Sequence, residues 1–152
     1  MRIAFSIRST CVRSASGCVS FPCSASASSS ASGIVLHRKY DSRDASMTLD
    51  TGSDVEGIGR PRVEASFIPG VIDRMMVVPN EGSYAAMRYL HKLVGRRYGA
   101  STGTDFYGAL RLACEMKDKG QQGSIVAMAC DPGERYLDTY YNDAWLEKSG
   151  YD

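Results

Sequence analysis

A chain of 152 residues with 43% hydrophobic residues and a single Trp has the make-up of one globular domain. Its formal charge of +1 is unevenly placed: residues 1–40 carry +5 and no acid, while the remainder sums to −4, which argues against a nucleic-acid surface. No stretch is long and apolar enough for a membrane span. Five cysteines without CxxC spacing and two histidines argue against a disulfide framework and a zinc site.

Residues 1–33 hold eleven Ser, five Ala, three Arg and no acid, a composition unable to build a core. Two readings stand side by side: an organellar transit leader, directing the chain to a mitochondrion or plastid in place of the cytoplasm, or a spurious extension from a misassigned start. Residues 34–55 form a polar connector with a possible strand at 34–36. Its Asp50-Thr51-Gly52 triplet matches that of aspartic proteases, which need two such loops to share a proton. The apolar flanking strands of such loops are missing, and a turn rich in Asp, Thr, Gly and Ser explains the triplet.

Residues 56–70 read as a loop in which Gly57 and Gly59 flank Ile58 and let the backbone pass close to a ligand or turn a corner. Phe67 and Ile68 read as an apolar plug, and Arg60 and Arg62 as a solvated basic edge. The compact run at 72–78, closed by Pro79, predicts a buried strand. Asn80 is placed to cap a helix whose core residues are Ala86, Met87, Leu90, Leu93 and Val94, with Arg88 and Lys92 outside and Gly95 as its stop.

A short strand ending near Gly99 then leads into the stretch around which the chain is organised, residues 99–120. Small and hydroxyl residues open a helix carrying Phe106, Ala109, Leu110, Ala113 and Met116, with Ser101 or Thr104 as cap and Gly120 as stop. Such a start presents unpaired N–H groups and little bulk to a ligand. Residues 124–130 predict a third buried strand, Cys114 and Cys130 read as buried small hydrophobes, and a last short helix over 143–148 is anchored by Trp145. Strand, helix, strand, helix, strand implies a parallel sheet with ligands at its carboxyl edge, where Gly99–Gly103 and Asp131–Gly133 fall. Three strands make a small, edge-exposed sheet, so the chain reads as part of a larger domain.

Three stretches in register, Glu56-Gly57-Ile58-Gly59, Gly99-Ala100-Ser101-Thr102-Gly103 and Cys130-Asp131-Pro132-Gly133-Glu134-Arg135-Tyr136-Leu137, resemble the carboxy-terminal half of the cysteine synthase family over about residues 54–152. These are pyridoxal-phosphate enzymes of the tryptophan-synthase β fold type. The resemblance implies an α/β fold, here a partial three-layer parallel sheet with flanking helices, fold type II of pyridoxal-phosphate enzymes and incomplete. It makes residues 56–152 the carboxy-terminal part of a cysteine synthase-like domain.

By the same resemblance Ser101 binds the pyridine nitrogen of the cofactor, and Gly57, Ile58 and Gly59 form the loop beside the amino-acid substrate. A helix N-terminus disfavours a cation, so an unprotonated ring nitrogen accepting from a neutral hydroxyl is expected. The family's Schiff-base lysine, asparagine and phosphate-binding loop are not recognisable, and Lys39, Lys92, Lys117, Lys119 and Lys148 lack the lysine's context. The chain alone is therefore expected to be inactive. The implied activity of the complete enzyme is β-replacement of O-acetylserine by sulfide to give cysteine, or L-cysteine desulfhydrase β-elimination to pyruvate, ammonia and sulfide. A non-catalytic binding or decoy module is the reading from another class. The family further implies a small amino-acid substrate, sulfide and a homodimer; no metal, nucleic acid or membrane partner is expected.

Overall fold

A computed structural model describes residues 46, 48, 52–59, 61–63 and 65–151. The leader, the possible strand at 34–36, Asp50, Thr51, Arg60 and Lys39 lie outside the described residues. Three α-helices order the rest: α1 (Asn80–Val94), α2 (Ala100–Asp118) and α3 (Asp143–Lys148), with short 3-10 turns at Pro69–Val71 and Gly133–Tyr136. Among the described residues no helix is long and apolar enough to cross a membrane.

The expected parallel sheet, and with it the three-layer fold-type-II architecture, is not formed among the described residues. Strand-type pairing is confined to two isolated antiparallel bridges, Thr48 with Arg62 and Tyr98 with Pro132. The physical reason lies in the ladder. A strand is defined by hydrogen bonds to a neighbour, and no backbone ladder joins the apolar runs at 72–78 and 124–130 to each other or to another described segment. The first instead runs along α2, where the Arg74 guanidinium meets Glu115 in a two-pronged ion pair at 2.5 and 2.8 Å. The second buries Ile125 and leaves Val126 and Met128 half exposed.

Local signals place the helices more accurately. Gly95 ends α1 at φ 71°, its N–H returning to the His91 carbonyl at 2.9 Å, and Gly120 closes α2 at φ 62°. Neither helix has a side-chain cap at its start: Pro79 and Gly99 occupy the cap positions, and Thr104 donates back to the Ala100 carbonyl within the helix. Asn80 is spent on other contacts, accepting from Ser53 Oγ at 2.8 Å and donating to the Tyr151 hydroxyl at 3.0 Å. α3 forms as expected, with Asn142 capping the Ala144 N–H.

The core gathers around the buried face of α1 and the carboxy-terminal turn. Val55, Tyr84, Met87, Ala100, Tyr136 and Tyr140 are buried together, with Tyr141, Trp145, Leu146 and Tyr151 packed against them. Tyr84 stacks on Tyr140 at 4.8 Å and meets Tyr151 edge-on at 5.1 Å, geometries that aromatic rings favour. Leu93 and Val94, expected inside, are exposed, and so is Ile68 of the anticipated plug. Arg88, expected outside, is half-buried, donates to the Tyr140 carbonyl at 2.8 Å and pairs with Asp143. Cys114 and Cys130 are exposed, not buried.

A pH prediction arises from Asp105 on α2. Burial pushes its carboxyl above the ordinary value, and the nearby Cys130 thiol at 3.9 Å opposes this only in part. The folded chain therefore holds that proton more tightly than the unfolded chain. This contribution to stability is full in acid and is lost as pH rises through the folded pKa. Asp105→Asn is expected to raise the thermal midpoint at neutral pH, the gain shrinking towards acid. Thermal unfolding of both proteins across pH checks it.

Candidate functional site

Ser101 is the second residue of α2, and its position is set by a backbone crossing just before the helix. The Gly99 N–H donates to the Asp131 carbonyl at 3.0 Å and the Gly133 N–H to the Arg97 carbonyl at 3.2 Å. A Cβ on Gly99 would collide with the Asp131 carboxylate, so this approach requires glycine. Beside it, Thr102 is buried and its hydroxyl oxygen accepts the Cys130 N–H at 2.9 Å.

The crossing brings the Asp131 carboxylate onto the helix start. One oxygen accepts the Ser101 hydroxyl at 3.1 Å and the other accepts the Tyr136 hydroxyl at 2.6 Å. Burial, reinforced by Asp131, pushes the Tyr136 phenol well up, so it remains a donor. A serine hydroxyl has a single proton. While the bond to Asp131 stands, Ser101 presents lone pairs outward, not the proton expected for a neutral ring nitrogen. A carboxylate placed here also opposes the partial positive charge of the helix N-terminus.

The second expected piece, Gly57-Ile58-Gly59, forms a tight exposed loop with φ 86° and 70° at its glycines. The Ser53 N–H donates to the Gly59 carbonyl at 3.0 Å and closes it. Tyr140 grips its root, donating to the Asp54 carbonyl at 2.8 Å and accepting the Glu56 N–H at 3.1 Å. The Tyr151 hydroxyl bonds the Asp54 carboxylate, and Arg135 reaches Glu56 at 3.4 Å. The loop and Ser101 are thus tied to the same carboxy-terminal turn, although no direct hydrogen bond joins them among those described.

Sequence reading gave Asp131 no role and did not single out Tyr136 or Tyr140. The available signal was their spacing of four within the turn, which sets both rings on one side. Lys92, Lys117, Lys119 and Lys148 are exposed, and none joins this network. An apolar hollow lined by Leu90, Val94, Tyr98, Thr102, Phe106 and Met128 flanks the start of α2 and offers no titratable group beyond the Tyr98 phenol. Among the described residues no cluster of three metal-ligating side chains occurs.

No family model matches the chain. It is 50% identical over 106 residues to the L-cysteine desulfhydrase Cds1 of Mycobacterium tuberculosis, covering 70% of this chain and 29% of that protein. It is also 35% identical over 96 residues to cysteine synthase 2 of Schizosaccharomyces pombe, covering 62% and 24%, and 35% identical over 86 residues to the cysteine synthase of Aquifex aeolicus, covering 53% and 26%. The chain is homologous to the pyridoxal-phosphate-dependent cysteine synthase and desulfhydrase family. It spans less than a third of the length of each of these relatives.

Proposed function

We propose that the chain contributes the Ser101 side of a pyridoxal-phosphate site whose complete protein is an L-cysteine desulfhydrase, converting cysteine and water to pyruvate, ammonia and sulfide. The observation carrying this reading is the 50% identity to the mycobacterial desulfhydrase, against 35% to the cysteine synthases. β-Replacement of O-acetylserine by sulfide is the second reading, favoured by the synthases among the relatives.

The residues present fit one end of the cofactor. A hydroxyl at the opening of a long helix, backed by the half-buried Asp131 carboxylate, suits a pyridine nitrogen in its protonated form, and the collision a Gly99 Cβ would make keeps the backbone beside it bare. When bound, pyridoxal phosphate supplies the electron sink that lets the α-proton and the β-substituent leave an amino acid. In this reading Ser101 orients the ring, Asp131 fixes the Ser101 proton, and the Gly57–Gly59 loop lies against the amino acid without side-chain bulk. In this reading the group that moves the α-proton is not one of the described lysines, none of which joins the network at Ser101.

Borohydride reduction of the 1–152 chain with pyridoxal phosphate, followed by mass spectrometry, tests this. Scattered or absent lysine labelling is expected, together with an absorbance change on cofactor addition that Ser101→Ala diminishes. Stoichiometric labelling of a single lysine would overturn the incomplete-site reading, and an absorbance change indifferent to Ser101→Ala would overturn the assignment of Ser101. For the complete protein, sulfide and pyruvate from L-cysteine alone are expected to outpace cysteine formation from O-acetylserine and sulfide. The reverse order would establish the second reading.

A further inference from the structure

The two pieces of the proposed site are distant in sequence, yet a single turn holds both. Tyr136 and Tyr140 stack with ring centroids 4.9 Å apart and planes inclined by 24°. From one ring, the Tyr136 hydroxyl bonds Asp131 at 2.6 Å, and that carboxylate accepts the Ser101 hydroxyl at 3.1 Å. From the other, the Tyr140 hydroxyl donates to the Asp54 carbonyl and accepts the Glu56 N–H, bracketing Val55 two residues before Gly57.

We infer that the stacked pair Tyr136–Tyr140 is a positioning element that holds the Gly57–Gly59 loop in register with Ser101. Packing alone does not call for this arrangement. Buried phenylalanines would fill the same space, whereas here the Tyr136 hydroxyl serves Asp131 and also faces the Glu56 carboxylate, the Tyr140 hydroxyl holds the backbone on either side of Val55, and neither bonds the other. Both phenols are pushed up chiefly by burial, so each keeps its proton and its donor role through the neutral range. Gly57 and Gly59 give the loop freedom at its tip, so its position is set at the root, where Tyr140 holds two backbone groups. Tyr84 stacks on the far face of Tyr140 at 4.8 Å and prevents the ring from turning away.

The catalytic meaning of this element rests on the reading that the loop and Ser101 face one cofactor site; its physical action does not. The test uses the 1–152 chain and its Tyr140→Phe and Tyr136→Phe variants, which keep the ring stack and remove one hydroxyl each. In Tyr140→Phe, amide exchange at Glu56 is expected to accelerate about fivefold or more, the effect of losing one net hydrogen bond, with the thermal midpoint falling by only about 5 °C and the exchange of α1 and α2 rising less than that of Glu56. In Tyr136→Phe, the amide resonance of Ser101 is expected to shift, and with it that of Gly59, which lies beyond the Glu56 side chain that the Tyr136 hydroxyl faces.

Unchanged exchange at Glu56 in Tyr140→Phe, or a Tyr136→Phe effect confined to Asp131, Ser101 and Glu56, would overturn the inference. So would acceleration across both helices as large as that at Glu56, which would make the tyrosines core residues only. A chain that shows the linked shifts but no Ser101-dependent absorbance change with pyridoxal phosphate would sink the cofactor reading and leave the positioning pair standing.

Discussion

Gly103→Ala is expected to lower the thermal midpoint by about 10 °C, the consequence of about 2 kcal/mol lost from a domain of this size. α1 and α2 cross where Gly103 faces Ser83 and Met87, and both of those residues are buried. A Cβ there would collide with the Ser83 carbonyl oxygen and lie 2.8 Å from Met87 Cβ and 3.1 Å from the Met87 nitrogen. These atoms belong to the neighbouring helix's backbone or its first side-chain carbon, so no rotamer change removes them. The Ser83 and Thr104 hydroxyls, bonded at 2.7 Å, fix the crossing further. Alanine's better helix propensity returns about 1 kcal/mol, less than the overpacking of roughly 3 kcal/mol at a rigid contact. Gly108→Ala is the control: its Cβ would meet only Met76 Cε at an ordinary 3.5 Å, so the propensity gain is expected to stand. Thermal unfolding followed by circular dichroism reads both. An unchanged midpoint in Gly103→Ala would mean that the helices do not approach most closely there.

The contrast between these two glycines shows what sequence alone carries. Helix extent is written in local signals, the spacing of apolar residues and the glycines at 95 and 120, and it was legible. The sheet was not, because a strand needs hydrogen bonds to a neighbour's backbone and the runs at 72–78 and 124–130 make no ladder with any described segment. That same failure explains the exposed Cys130: the apolar character of residues 126–130 suits a covered strand, and here the segment lies open. Asn80 looked like a cap because capping is a local habit of asparagine. Its actual partners, Ser53 and Tyr151, are 27 and 71 residues away. Of the candidate site, the motif residues Ser101 and Gly57–Gly59 could be named from the family resemblance. The carboxylate that claims the Ser101 proton sits 30 residues further on, and the phenol that grips the loop 84 to 86 residues from its partners, distances across which no sequence spacing speaks.

Gly133→Ala is expected to undo the site from the far side of that crossing. The added methyl would lie 2.6 Å from the Tyr98 nitrogen and 2.7 Å from both the Tyr98 carbonyl oxygen and Arg97 Cβ. Segment 97–99 cannot yield easily, because the Tyr141 hydroxyl brackets Tyr98, accepting its N–H at 3.1 Å and donating to its carbonyl at 3.0 Å. The segments must therefore separate, breaking the Gly133-to-Arg97 hydrogen bond and weakening the Gly99-to-Asp131 bond that delivers Asp131 to the start of α2. A cost of about 3 kcal/mol is expected, the upper part of the usual overpacking range, because the contact is with backbone. The second readout separates this variant from a general loss of stability. At temperatures where the fold persists, Gly99 amide exchange is expected to rise, and the Ser101 resonance to move towards that of Asp131→Ala. On the cofactor reading, the absorbance change with pyridoxal phosphate then falls to the level of Ser101→Ala, since a hydroxyl released from Asp131 is no longer held at the ring. If Gly133→Ala lowers the midpoint but leaves Ser101 and the cofactor response intact, then Asp131 is held by Tyr136 alone and the backbone crossing serves stability only.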